Sequence, residues 1–273
     1  MSKTTSKVLT GCGIGCLLAI VVVVGLGWMG YRWTQLAVDA MESAGQSEAL
    51  LEETFGPVRD FRPPVDGRIP VDRMEVFLEV REGLAAPREA LAEAIVGLAP
   101  GEGGGGLRTA RAGAVMGPRA LDLVRARNET LLSAGMGFGE YVWIYWLTYD
   151  AWLGHPADAS TLHDIMAERS TSGGSVQFHF GGGMEPERIT WRLRTDITAM
   201  LSNLDEDLAA GSESGGLREL VIAELEALEA EPARVPWEDG LPEEFAVGLE
   251  PYRERLALTY SPATNPFELL ELD

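Results

Sequence analysis

Hydrophobic residues follow two different patterns along this chain, and the first is a continuous run. From Val8 to Tyr31 the sequence is almost entirely apolar and carries no charged residue over 24 positions. An α-helix needs about 20 such residues to cross the hydrocarbon of a bilayer, whereas a helix in a soluble core keeps a polar stripe that this run lacks. The pattern therefore predicts a single transmembrane helix over residues 8–31.

The charges beside this run predict its orientation. Lys3 and Lys7 precede the run, Arg32 follows it, and the next charged residue is Asp39. Because basic residues stay on the cytoplasmic side, we expect residues 1–7 to form a cytoplasmic tail and the remainder to be periplasmic or extracellular. The run exceeds the apolar part of a cleaved signal peptide, which favours an uncleaved signal-anchor in a bacterial inner membrane. Cleavage after residues 38–40 is the open alternative.

Small residues recur every fourth position within the predicted anchor. Gly11, Gly15 and Ala19 share one face of the helix, and small residues at this spacing allow two transmembrane helices to pack closely. The stripe therefore suggests a homodimer through the transmembrane helix. The alternative is that glycine is simply common in membrane helices.

The second pattern is helical periodicity, which begins after the anchor. Residues 32–56 are interpreted as a juxtamembrane helix, the proline-rich residues 57–69 as a linker, and residues 70–273 as a mainly α exterior domain of irregular multi-helix architecture. Apolar residues three and four positions apart define the core face of each predicted helix. They include Val71, Met74, Phe77, Leu78, Leu91, Ile95, Leu193, Ile197, Leu201, Leu204, Leu208, Leu217, Val221, Leu225 and Leu228.

Five segments of the exterior domain carry more specific signals. Pro118 predicts the first turn of a helix, and the aromatic residues of 138–153 predict a helix that is buried on nearly all sides. The alternation in 176–180 resembles a strand. The stripes in 189–208 and 217–228, separated by a short loop, predict an antiparallel helical hairpin. We expect the tail to be helical over 243–258 and then extended, with Phe267, Leu269 and Leu270 over the core.

Composition restricts the partners of the exterior domain. All 42 acidic residues lie beyond the anchor, with only 19 arginines from Arg59 to Arg255 and no lysine. Such a surface repels nucleic acid and anionic headgroups, so we expect no nucleic-acid partner. Cys12 and Cys16 both lie in the apolar run, so the exterior domain has neither a disulfide nor a reactive thiol.

Candidate catalytic groups are few. His155 and His163 lie near several carboxylates, but their spacing differs from the i, i+4 pair of a zinc protease helix. The exterior domain has no Gly-x-Ser-x-Gly elbow and no Ser-x-x-Lys motif. We therefore predict no catalytic residue, no metal site and no cofactor.

The aromatic helix supplies the candidate ligand-binding residues. Trp143, Trp146 and Asp150 combine indole groups with a carboxylate in apolar surroundings, as ligand pockets often do. The competing interpretation is a packed core, with Asp150 in a structural ion pair with Arg192 or Arg194.

Together these features predict a membrane-anchored extracytoplasmic binding or scaffold protein of the bacterial cell envelope that acts through protein–protein contacts. Two alternatives stay open. One is an envelope enzyme or metal-dependent hydrolase using Asp150, His155 and His163, and the other is a small-molecule sensor with an aromatic-lined pocket.

Overall fold

The fold is taken from a computed structural model that describes residues 41–97, 106–155, 186–211 and 215–271. This part of the chain is mainly α-helical and contains no strand, which confirms the predicted class. The chain divides into two compact units, Met1–Glu42 and Ser43–Asp273, and only residues 41–42 of the first are described. The anchor 8–31, with Gly11, Gly15 and Ala19, and the passage 176–180 lie outside the described residues. Among those described, no helix is both long and apolar enough to cross a bilayer.

Ten α-helices are described, together with two short 3₁₀ turns and one π-helical segment. The helices are α1 (41–55), α2 (Val71–Gly83), α3 (Ala85–Gly97), α4 (Gly106–Ala134), α5 (Phe138–Tyr145), α6 (Pro186–Ala210), α7 (Gly215–Ala230), α8 (Glu243–Ala246), α9 (Arg253–Thr259) and α10 (Asn265–Glu268). The 3₁₀ turns are Val58–Asp60 and Glu250–Tyr252, and the π-helical segment is Trp146–Trp152.

Helix α1 and the chain that follows it pack against the domain. Ala44 and Leu51 lie two turns apart on the same face of α1, and both are buried. Beyond α1, Val58 is also buried, and the side-chain amide of Asn203 on α6 donates to the carbonyl oxygens of Arg59 at 2.9 Å and Phe61 at 3.1 Å. From Ser43 onwards, the predicted juxtamembrane helix and linker therefore belong to the same compact unit as the later helices.

A glycine allows the close approach between the 3₁₀ turn after α1 and the start of α5. A Cβ atom built on Gly139 would lie 2.8 Å from the carbonyl oxygen of Val58 and 2.7 Å from Cβ of Phe61. Real Cβ atoms do not approach backbone this closely, so any larger residue would push the two segments apart.

We expect Gly139→Ala to lower the free energy of unfolding by about 1–3 kcal/mol, because the added methyl overpacks this contact. Gly83→Ala is the matched control, since its Cβ would meet only Cγ2 of Thr130 at 3.7 Å. Alanine favours helix over glycine, so the control should be neutral or stabilising by up to about 1 kcal/mol. Urea unfolding of the full chain in mild detergent measures both. Equal free energies of unfolding for the two variants would contradict the close approach between the 3₁₀ turn and α5.

The aromatic helix is buried, as predicted, but its second half is not α-helical. Residues Trp146–Trp152 form π-helical turns, and the hydroxyl of Thr148 donates to the carbonyl of Ile144 at 2.8 Å. The helix ends at Gly154, whose φ of +67° allows the amide of His155 to bond the carbonyl of Tyr149 at 2.7 Å. A glycine in the left-handed region is a common helix terminator.

Helices α6 and α7 form the predicted antiparallel hairpin. Near the connection, Arg218 pairs with Asp205 at 2.8 Å. At the far end, Nη2 of Arg194 donates to the carbonyl oxygen of Leu228 at 2.6 Å. The N-terminal end of α6 thus contacts the C-terminal end of α7, and the C-terminal end of α6 contacts the N-terminal end of α7. The two helices are therefore antiparallel.

Two predicted boundaries were wrong. Pro118 lies inside α4 and not at its start, because the helix already begins at Gly106 and its packing against α3 outweighs the one hydrogen bond that proline cannot donate. The tail is not one helix over 243–258. Gly248 has a φ of +89°, which ends α8 early, and α9 begins at Arg253.

Candidate functional site

The structure places the two predicted ligand-binding tryptophans in the core. Trp143 is 1% exposed, and its ring packs edge-on against Trp237 at 5.9 Å and against Phe245 at 6.4 Å. Trp146 is also buried, and its indole Nε1 makes no hydrogen bond. These contacts are those of a packed aromatic core, the competing interpretation of the same residues.

Asp150 and His155 are the two described members of the candidate catalytic set. Asp150 is half-buried on the π-helical segment, and His155 stacks on Tyr260 at 4.5 Å. His163 lies outside the described residues. Arg192 pairs with Glu271, and Arg194 donates to backbone carbonyl oxygens, so both arginines have partners other than Asp150. Within the described ranges, no three histidine, cysteine or carboxylate groups are placed to hold a metal ion.

The most polar part of the core is a buried ion cluster that sequence reasoning missed. Arg81 on α2 and Arg88 on α3 both contact the carboxylate of Glu268 on α10, and the Arg88 contact measures 2.6 Å. The side chains of Arg81 and Glu268 are fully buried, and that of Arg88 is 8% exposed. The hydroxyl of Tyr141 donates to the same carboxylate at 3.0 Å.

These two arginines and a third, Arg127, also hold the backbone of the C-terminal segment. The carbonyl oxygen of Thr259 accepts from Arg81 at 2.5 Å and from Arg88 at 2.9 Å. Arg127 on α4 donates to the carbonyl oxygens of Glu268 at 2.6 Å and Leu270 at 2.8 Å. Three buried guanidinium groups therefore fix residues 259–270 to the helices that precede them.

Opposing effects set the ionisation of this cluster. Burial acts to lower the pKa of Arg81 and is the largest single effect, but the Glu268 carboxylate and three neighbouring tyrosines together outweigh it and hold the pKa well above the usual value. Burial raises the pKa of Tyr141 and lowers that of Arg127. Arg81 therefore stays charged and depends on Glu268 for compensation, which is the behaviour of a structural ion cluster.

The sequence did contain a signal for part of this cluster. Arg81 lies three and four residues after Leu78 and Phe77, and Arg88 lies four after Leu84, so both occupy positions of the apolar stripe. A charged residue at a core position is buried only if it is paired. The residues around Glu268 show no comparable helical stripe of apolar residues, so the burial of Glu268 could not be predicted from the sequence.

The candidate functional site is a surface cavity beside α1, with a volume of about 370 Å³. Its wall combines α1, the chain after it, the start of α5, α6 and the C-terminal segment. The lining residues are Gly45, Glu48, Ala49, Leu51, Glu52, Gly56, Pro57, Val58, Arg59, Phe138, Arg192, Asp196 and Glu271. The predicted ligand residues Trp143, Trp146 and Asp150 do not line it.

Two ion pairs form part of the wall of this cavity. Nε of Arg59 donates to Oδ1 of Asp196 at 2.9 Å, and Asp196 is only 4% exposed. Arg192, one turn before Asp196 on α6, pairs with Glu271. Each carboxylate thus has a guanidinium partner from another part of the chain, and the two pairs join α6 to both ends of the described domain.

Glu271 is the ionisable group most affected by this environment. Burial raises its pKa to about 7, and nearby Asp196 and Glu48 act in the same direction, while Arg192 and Arg127 act against them. The Glu271 carboxyl therefore gains and loses its proton near neutral pH. With Glu48 and Glu52, the cavity holds four carboxyl groups and two guanidinium groups.

Comparison with known proteins adds no family to this description. The chain matches no protein-family profile, no characterised protein and no solved structure. The fold and the site alone define it as a helical domain with a buried ion cluster and an acidic surface cavity.

Proposed function

We propose that this chain is a single-pass, membrane-anchored binding or scaffold protein of the bacterial cell envelope that acts through protein–protein contacts. Residues 8–31 would hold it in the inner membrane, with the amino terminus in the cytoplasm and the helical domain outside. Within this proposal, the cavity beside α1 is the recognition site for an envelope protein.

The cavity is the observation that carries the proposal. Its lining includes the exposed residues Glu52 and Arg59, so the cavity is accessible from solvent. Its charged groups are carboxylates and guanidinium groups, which bind partners by charge-assisted hydrogen bonds. The buried polar groups around Glu268, by contrast, are occupied in holding the C-terminal segment.

The sequence adds two further supports. In the chain, only residues 32–40 separate the predicted anchor from the first described residue of α1, and α1 forms one side of the cavity. The excess of acidic residues would raise the local concentration of basic partners through long-range attraction. Both features suit a domain that captures another protein near the membrane surface.

In-cell photocrosslinking tests the binding proposal. A photoreactive amino acid at position 52, on the cavity rim, should give a specific crosslink to another envelope protein in the bacterium that produces the chain. Position 229, an exposed glutamate on α7 that does not line the cavity, is the matched control and should give little of that product.

The location is tested in the same cells. Protease added to spheroplasts should digest the helical domain of the full chain, and a variant lacking residues 8–31 should leave the membrane fraction. A domain protected from protease would contradict the proposed orientation. Equal crosslinking from positions 52 and 229, or none from either, would contradict the recognition site.

A further inference from the structure

We propose that residues 269–271, which we call the strap, form a pH-sensitive wall of the cavity beside α1. The strap is docked when Glu271 is protonated and is released when Glu271 is ionised. This inference rests on the proposed function, because it assigns a regulation to the recognition site. Since Glu271 lines the cavity, the site is complete only while the strap is docked.

The strap starts at a fixed point and ends in a solvent-accessible site. Glu268, the residue before it, is fully buried and contacts both Arg81 and Arg88. Leu269 is still 4% exposed, but the two residues that follow it are only half-buried. The strap can therefore leave the cavity while the buried ion cluster stays intact.

The backbone hydrogen bonds of the strap are long. The amides of Leu269 and Leu270 donate to the carbonyl oxygens of Asn265 at 3.3 Å and Phe267 at 3.4 Å. Both distances lie beyond the usual range of 2.7–3.2 Å for such bonds. A terminal turn with long hydrogen bonds and a partly exposed end opens at a lower free energy than the core does.

One buried guanidinium connects the strap to α1. Nη1 of Arg127 donates to the carbonyl oxygen of Leu270 at 2.8 Å, and its Nε donates to Oδ1 of Asn128 at 2.9 Å. The amide nitrogen of Asn128 in turn donates to the hydroxyl of Ser47 on α1 at 3.3 Å. The strap and α1 both contribute to the cavity wall, so release of the strap removes a hydrogen bond from the group that joins these two parts.

Glu271 is the part of the strap that responds to pH. The charged groups that face it are Arg192 and Asp196 from α6, Glu48 from α1, Arg127 from α4 and, through its pair with Asp196, Arg59. Burial and the two carboxylates outweigh the guanidinium groups and raise the pKa of Glu271 from 4.5 to about 7. The docked strap therefore binds the proton more tightly than the released strap. Docking is favoured at low pH and is lost as the pH rises through 7.

Hydrogen exchange of the full chain in mild detergent, at pH 6, 7, 8 and 9, measures release of the strap. An unstructured peptide with the sequence of residues 265–271 supplies the intrinsic exchange rate at each pH. The protection factor of the Leu269 and Leu270 amides should fall about tenfold from pH 6 to pH 8, because the pKa of Glu271 is about 7 when docked and about 4.5 when released. Amides of α7, which does not line the cavity, should change by less than about twofold.

Three variants identify Glu271 as the titrating group. Glu271→Gln cannot ionise, so its strap should keep at pH 8 the protection that it has at pH 6. Glu229→Gln removes an exposed carboxylate of α7 and should keep the tenfold fall of the wild type. Arg192→Gln should extend the fall above pH 8, where the wild type levels off, because Arg192 favours the ionised form of Glu271. Circular dichroism establishes that each variant is folded.

Photocrosslinking from position 52 connects the strap to recognition. In spheroplasts, the crosslinked product should be at least about threefold more abundant at pH 6 than at pH 8, and Glu271→Gln should remove this difference. Equal crosslinking at the two pH values would overturn the regulation of the site.

The outcomes separate this inference from the proposed function. A protection factor that does not change with pH, or the same fall in Glu271→Gln as in the wild type, would overturn the strap even if position 52 crosslinks a partner. A tenfold fall that Glu271→Gln abolishes supports the strap. If that fall is observed and position 52 crosslinks no protein, the strap stands and the protein–protein function fails.

Discussion

Glu268→Gln should lower the free energy of unfolding by about 3–5 kcal/mol, because it leaves two buried guanidinium groups without their negative partner. Both Arg81 and Arg88 contact this carboxylate, and the side chains of Arg81 and Glu268 are fully buried. Glutamine keeps the shape of the side chain and removes its charge. The loss therefore reports on electrostatic compensation and not on a cavity.

The loss should also spread along the C-terminal segment. The backbone carbonyl of Thr259 accepts hydrogen bonds from both arginines, and that of Glu268 accepts from Arg127, so displacement of these groups would loosen residues 259–270. Hydrogen exchange should show faster amide exchange there than elsewhere in the domain. Such a pattern would show that the ion cluster holds this segment against the rest of the domain.

Urea unfolding of the full chain in mild detergent, followed by circular dichroism, measures the change. Glu229→Gln is the matched control, because it removes an exposed carboxylate and should change stability by no more than about 0.5 kcal/mol. If Glu268→Gln were as stable as this control, the cluster would not be a structural ion cluster.

Trp143→Ala should lower the free energy of unfolding by a similar amount, about 3–5 kcal/mol, since it removes a large ring from a packed core. Trp143 packs against both Trp237 and Phe245 and is 1% exposed. Trp237 itself has a positive φ of 55°, and its amide donates to Glu224 at 2.8 Å. The neighbours of Trp143 are therefore held in place and could not close fully around a void.

Trp191→Ala provides a control with the same chemical change, because Trp191 is 62% exposed. We expect it to cost less than about 1 kcal/mol. Urea unfolding followed by circular dichroism avoids the loss of fluorescence that both variants share. A Trp143→Ala variant as stable as the control would favour the pocket interpretation of the aromatic helix over the core interpretation.

The predicted core was largely correct where local periodicity defines it. Phe77, Leu78, Ile197 and Leu204 are all buried, because residues three and four apart share one helix face whatever lies opposite. The antiparallel hairpin was predicted from the same helical periodicity, together with the short connection between α6 and α7. Val71 is the exception within its stripe. It begins α2 and remains 70% exposed.

The candidate site was not predictable in the same way. The wall of the cavity combines residues from α1, α6 and the end of the chain, and Arg59 and Asp196 are 137 positions apart. Its ionisable residues look like ordinary surface residues in the sequence. Glu271, whose pKa the fold moves to near neutrality, has no sequence feature that distinguishes it from other exterior glutamates.

Local sequence patterns were enough to predict that the described domain is helical, that its aromatic helix is buried, and that α6 and α7 form a hairpin. These properties depend on the spacing of apolar residues along the chain, which can be read from the sequence directly. The burial of Glu268 between two arginines and the raised pKa of Glu271, about 7, arise only from tertiary packing. Burial and charge compensation depend on neighbours that are distant in sequence, since Arg81 and Glu268 meet across 187 positions.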